Sequence, residues 1–209
     1  MLVYLVDNTI DGQGASPLEL QSALNRLNVG LEVLIEPYHV ASLDRLESVK
    51  PSHIILSGQS HPWDNYSPES LKGVLELIKS APQPILGICG GHQLIALACG
   101  GRVDLMARLG PGEGYSGAKR ERGYFPIQTE EIGLFKNLPT QLTVWHSHFD
   151  EVKDLPEGFC RTAWNETCAI QAMQHKTRAV FGMQFHPELF DDEHPDGRQI
   201  LEAFLHTVQ

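Results

Sequence analysis

The first half of the chain alternates short apolar runs with stretches whose apolar residues recur at helical spacing. Leu2–Val6 and Ile85–Ile88 have the length and composition of buried strands, and Leu31–Ile35 and Ser52–Leu56 read as two further strands. Between them, Leu20, Ala23, Leu24 and Leu27 share one helical face, as do Leu71, Val74, Leu75 and Ile78. Ser16-Pro17-Leu18-Glu19 reads as a helix start, with Ser as N-cap, Pro at N1 and Glu at N3; Ser67-Pro68 starts a second helix. Gln93–Cys99 is apolar at nearly every position and stops at Gly100-Gly101, which predicts a buried helix.

The pattern changes after Gly101. Val103–Gly123 holds seven charged residues and several glycines, and an exposed, mobile loop is expected there. Tyr124–Thr129, Leu142–Trp145, Cys160–Trp164, Ala169–Met173 and Ala179–Phe185 then predict short strands, with turn signals such as Leu138-Pro139 between them. Gln199–Val208 predicts a closing helix with Ile200, Leu201, Phe204, Leu205 and Val208 inward. Strands and helices in alternation, with short links, imply an α/β fold. Its central sheet is mostly parallel, with helices on both faces and extra antiparallel strands from the second half. With 209 residues and no linker or repeat, residues 1–209 are expected to form one domain.

Charge and composition then exclude partners. Sixteen basic against 26 acidic residues give a net charge of −10. The densest basic cluster, Lys119-Arg120-Glu121-Arg122, is short, so nucleic acid is not expected as a partner. No apolar run approaches the ~20 residues of a membrane span, and the N-terminus lacks the basic segment of a signal peptide. Cys89, Cys99, Cys160 and Cys168 show no paired spacing, which fits a reduced, cytoplasmic setting. The last three are expected as small core residues.

Candidate chemistry gathers at the turn after Ile85–Ile88. Gly87-Ile88-Cys89-Gly90-Gly91 is a G-x-C-x-G arrangement between a strand and a helix, the geometry of a nucleophile elbow with Cys in place of Ser. A sharp turn needs small neighbours, and the helix N-terminus behind it favours thiolate over thiol. The N–H of Gly90 is placed to donate to an oxyanion. A second signal is His186-Pro187-Glu188, at the end of the Ala179–Phe185 strand. Residues i and i+2 of an extended chain point the same way, and Pro187 disfavours helix for His186, so His186 and Glu188 are expected to face one space. A histidine fixed by a carboxylate is the base and acid that a thiol nucleophile needs.

Together these residues resemble the class I (triad) glutamine amidotransferase family. The carriers are G-I-C-G-G-H-Q-L at 87–94 and G-M-Q-F-H-P-E at 182–188, with 97 residues between Cys89 and His186. The resemblance runs from Leu2 to Leu205 and implies that family's flavodoxin-like fold. It implies that Cys89 attacks the side-chain amide of L-glutamine, that His186 moves the protons and that Glu188 orients His186. It implies Gly58 and Gly90 as oxyanion-hole donors, and Gln93 with Ser147, His148 and Phe149 as the substrate-binding residues. No cofactor is implied.

Val144–Val152 and Leu155–Phe159 are most similar to the GMP synthase branch of the family, so a separate ammonia-accepting synthetase is the expected partner. A synthetase region after Gln209 is not expected. Three departures stand against that branch. Ser57-Gly58-Gln59-Ser60 replaces the usual S-G-G-P, Leu189-Phe190-Asp191-Asp192 replaces V-x-H-T, and the Val103–Gly123 segment is long. A stand-alone γ-glutamyl hydrolase or peptidase and a non-enzymatic regulatory subunit remain alternatives.

Other residues invite weaker readings. His146 and His148 have metal-ligand spacing, but two ligands are too few without a third group, so no metal is expected. His92 is on the Cys89 helix, where a packing or partner-facing role is expected. Gly12-Gln13-Gly14 lacks the rest of a phosphate loop and reads as a flexible connection. Trp63, Trp145 and Trp164 are expected to pack, with Trp63 near the pocket.

Overall fold

A computed structural model of the protein describes residues 1–10, 12, 16–27, 30–107 and 118–208. The first half forms β1 (Leu2–Asp7), α1 (Ser16–Leu27), β2 (Glu32–Pro37), α2 (Leu43–Val49), β3 (His53–Leu56), α3 (Pro68–Ser80), β4 (Ile85–Ile88) and α4 (Gly90–Ala98). The second half forms β5 (Arg102–Leu105), β6 (Glu121–Thr129), β7 (Gln141–His148), β8 (Asp150–Asp154), β9 (Phe159–Trp164), β10 (Ala172–His175), β11 (Val180–Met183) and α5 (Asp196–Leu205). Nine strands form one sheet in the order β2-β1-β3-β4-β11-β10-β9-β6-β7. The β2-β1-β3-β4-β11 part is parallel, and the rest is antiparallel. β5 and β8 pair as a separate antiparallel ribbon.

Two cores follow from strands that are apolar on both sides. Val3, Leu5 and Ile55 pack with Leu20 and Leu24 of α1 and with Leu201 and Phe204 of α5. Tyr4, Val6 and Ile54 point the other way, onto Leu46 of α2, Leu77 of α3 and Leu94 of α4. Alternate residues of one strand thus serve opposite layers. Ser67 caps α3 by accepting from Ser70 N at 3.2 Å, as its Ser-Pro start predicts. Ser16 differs. It is the first residue of α1, and its hydroxyl accepts from Gly58 N at 3.3 Å.

Several elements depart from the sequence reading: α5 ends at Leu205 and leaves Val208, expected inward, exposed, and β10 lies at Ala172–His175 where a strand over Ala169–Met173 is expected. α2 is seven residues long, and its three apolar residues, Leu43, Leu46 and Val49, are too few for a periodic signal; Ser42 caps it by accepting from Arg45 N at 3.2 Å. β5 and β8 are rich in charge and are ordered by pairing with each other. They take Val103–Leu105 out of the expected loop, and β6 takes Glu121–Gly123. Residues 108–117 of that loop lie outside the described residues, as do Gln13 and Gly14.

Parallel pairing places the ends of β3, β4 and β11 side by side, and the turn from β4 into α4 opens there. The turn is tight enough that a Cβ on Gly91 would overlap the carbonyl oxygen of Leu56. That obstacle is backbone in a central strand and cannot swing away. Gly91→Ala is therefore expected to destabilise the fold by about 1–3 kcal/mol, read as a lower urea midpoint with unchanged slope.

Candidate active site

Cys89 stands between β4 and α4 with φ 51° and ψ −103°, on the side of conformational space that L residues avoid. Such a residue costs roughly 1–3 kcal/mol and persists only where its surroundings over-determine it. Here Cys89 N donates to Met183 O at 2.8 Å, and Cys89 O accepts from Gln93 N at 3.1 Å. One bond ties the turn to β11 and the other makes it the first turn of α4. The sulfur has Ser147 O at 3.9 Å and Gln184 Nε2 at 3.7 Å. The first-turn N–H groups of α4 lie behind it.

His186 enters from the end of the β11 strand. Its N–H donates to Trp145 O at 2.7 Å, which fastens it to β7. Its Nδ1 lies 2.8 Å from Glu188 Oε1, and both side chains are buried. The chain between them is not extended as expected. Pro187–Leu189 form a 3-10 turn, because proline suits the first position of a helical turn, where no N–H is needed. The turn folds Glu188 back onto His186. Burial opposes a charge on His186, but Glu188 and Cys89 on either side outweigh it and hold the imidazole well above its ordinary value. With Nδ1–H given to Glu188, Nε2 is free to exchange a proton with the sulfur.

A cavity of about 220 Å³ opens at Cys89, lined by Gln59, Gln93, Ser147, His148 and Phe149 among others. Gln93 lines it with every hydrogen-bonding position in use. Its Oε1 accepts from Gln59 Nε2 at 2.9 Å and Trp63 Nε1 at 3.0 Å. Its Nε2 donates to Asp150 O and to Gln184 Oε1, both at 3.2 Å. Gln93 thus braces the walls to each other. A Cβ on Gly58 would lie 3.6 Å from His186 Cε1 and 3.8 Å from Cys89 Cβ, so Gly58 borders both groups. A Cβ on Gly90 would overlap the backbone and side chain of Gln59.

Residues outside the motifs complete the picture. Gln184 joins Cys89 to Gln93, and its only sequence signal is its place inside G-M-Q-F-H-P-E. Glu121 sits behind His148 and was hidden among Lys119, Arg120 and Arg122. The clue was parity, since Glu121, Ile127 and Thr129 face inward along β6. His92 is fully buried against Gly182, and desolvation, aided by nearby His148, pushes its imidazole down to about 3. It is a packed neutral ring, away from any partner-facing surface. All four cysteines are unpaired; Cys168 is buried, while Cys99 and Cys160 are partly exposed. Trp63 stacks near Tyr66 and reaches the pocket wall through Gln93.

A mixed α/β sheet whose parallel half ends at a strained cysteine, with a histidine and carboxylate beside it, has the arrangement of an enzyme that works through a thiol. The family model described as glutamine amidotransferase class-I matches residues 19–208. The chain belongs to the class I glutamine amidotransferase family. A relative from Thermococcus kodakarensis, named as a glutamine-hydrolysing GMP synthase subunit, is 40% identical over 177 residues, 84% of this chain and 85% of that protein. A solved structure from Thermoplasma acidophilum is 30% identical, with a TM-score of 0.79 over 98% of this chain and 92% of that one. A glutamine amidotransferase from Thermotoga maritima, 20% identical, shares the fold with a TM-score of 0.73 over 99% of each chain.

The raised His186 makes stability depend on pH. Folding takes up a proton between the unfolded and folded values. The added stability is fully present below the unfolded value of about 6.5 and is lost as pH rises through the folded value. Denaturant midpoints of the protein and of His186→Gln, compared from pH 6 to pH 10, are expected to converge as pH rises.

Proposed function

We propose that this chain hydrolyses the side-chain amide of L-glutamine through Cys89, His186 and Glu188. It then passes the ammonia to a separate synthetase of the GMP-forming kind in the cytoplasm, with residues 1–209 acting as one glutaminase unit. The observation that carries this reading is the strained Cys89 facing the His186–Glu188 pair in a chain of this family. The name and similar length of the Thermococcus kodakarensis relative support the acceptor.

The geometry suggests the order of steps. His186 Nε2 takes the thiol proton while Glu188 fixes Nδ1–H. The sulfur attacks the amide carbon, and negative charge moves to the amide oxygen beside the N–H of Gly90. The C–N bond breaks as His186 returns its proton to nitrogen, so ammonia leaves and a γ-glutamyl thioester remains. Water then adds to the thioester, giving its proton to His186. The C–S bond breaks, glutamate leaves and the proton returns to sulfur. Gly58 can join the oxyanion hole only by exchanging its bond to Ser16 Oγ for one to the oxyanion. The backbone of Ser147, His148 and Phe149 holds the rest of the substrate along the cavity wall.

Glutamate release from L-glutamine by the purified chain tests this. Cys89→Ala is expected to abolish release and keep the circular dichroism of the fold. His186→Ala is expected to lose roughly 10²–10⁴-fold, and Glu188→Gln less, since the acid only orients the base. A GMP-forming synthetase is expected to raise turnover. Cys89→Ala retaining most of its activity would overturn the proposal, and rapid partner-free cleavage of γ-glutamyl peptides would favour a stand-alone hydrolase.

A further inference from the structure

Behind the pocket wall lies a second cluster, formed by Glu121 at the start of β6 and by His146 and His148 at the end of β7. One ligand atom from each lies within 4.8 Å of the other two. The three residues are 6%, 0% and 5% exposed. His148 Nδ1 is 3.0 Å from the carbonyl oxygen of Asp150. A carbonyl only accepts, so Nδ1 carries a proton, and in a neutral ring Nε2 holds a lone pair. That lone pair points at Glu121 Oε2, 2.8 Å away. His146 Nδ1 is 3.1 Å from the same oxygen, yet among the described residues neither ring nitrogen of His146 has an aligned hydrogen-bond partner.

Something positive must separate the His148 lone pair from the carboxylate. A second proton on His148 satisfies His148 and Glu121 but leaves a fully buried imidazole, His146, without an aligned bond. A buried polar group in that state calls for a partner. A divalent cation satisfies all three residues at once. Two neutral imidazoles and a carboxylate are a zinc-type donor set. The surroundings also fit, because metal-bound histidines commonly give their other N–H to a backbone carbonyl, and bound carboxylates are themselves hydrogen-bonded. Glu121 receives Asn165 Nδ2 and Gln171 Nε2, each at 2.7 Å, and the Thr167 hydroxyl. Zinc at 2.0–2.1 Å from tetrahedral ligands holds them about 3.3 Å apart, so the 2.8 and 3.1 Å separations need to open by only a few tenths of an ångström. A cavity of about 520 Å³, lined in part by Glu121, Phe125, Asn165 and Thr167, reaches the carboxylate side of the cluster.

We propose that Glu121, His146 and His148 bind one divalent cation of the zinc class. The cation clamps β6 to the end of β7 and so fixes the Ser147-His148-Phe149 wall of the pocket. It takes no part in the reaction assigned to Cys89, and the proposal does not depend on that assignment. The test is calorimetric titration of the full, chelator-stripped Cys89→Ala chain with zinc, so that the pocket thiol cannot contribute. Cobalt serves as a spectroscopic probe of geometry. One equivalent with micromolar or tighter affinity is expected, with the visible bands of tetrahedral cobalt. Glu121→Gln and His146→Phe, each folded by circular dichroism, are expected to weaken binding about 100-fold or more. Two variants are used because either buried change could unfold the chain. Absence of saturable binding, or equal binding in a folded variant, overturns the proposal and leaves a doubly protonated His148 in the cluster.

Discussion

The site depends on holding Cys89 in a backbone conformation that a side chain resists. Nothing local to Cys89 favours φ 51°, so the constraint comes from both flanks. The bond from Cys89 N to Met183 O aligns the turn with β11, and the bond from Gln93 N to Cys89 O starts α4 at once. Gly91 lets the helix sit against Leu56 of β3. The strain of roughly 1–3 kcal/mol is small against the burial of β3, β4 and β11 between two helical layers. The parallel strands are therefore the means of keeping Cys89 in a conformation that an isolated turn would relax.

The same sheet brings the second half of the site into place. His186 arrives on the neighbour of β4 and is fastened to β7 through Trp145. Parallel and antiparallel regions of the sheet thus meet at the candidate site, the parallel part supplying Cys89 and the antiparallel part the pocket wall. Gln93 joins these regions to the Gln59 and Trp63 segment and to Asp150. Its bonds bridge segments far apart in the chain, so loss of any partner disturbs several walls together.

Much of this was legible in sequence, and the reasons are physical. β1, β3 and β4 are buried on both faces, so their apolar runs are uninterrupted. α1 and α3 each bury one face and show it as periodicity. Cys89, His186 and Glu188 stood out because glycine and proline mark their backbone. α2, β5 and β8 left no such trace, being short and charged and held by pairing or capping. Glu121 read as one charge in a basic run because its inward direction is set by β6, whose start at Glu121 lay inside the expected loop. The bonds of Gln93 and Ser16 were illegible because they join residues 30 to 91 positions apart and depend on side-chain geometry.

The central claim is that Cys89 is the single nucleophile and that its pocket is built for a γ-glutamyl group. Peptide mass mapping measures this directly, after exposure to a glutamine analogue with an electrophilic carbon in place of the side-chain amide. One adduct is expected, on Cys89, and excess L-glutamine is expected to block it. Labelling spread over Cys99, Cys160 and Cys168, or an adduct that L-glutamine does not prevent, would contradict the claim.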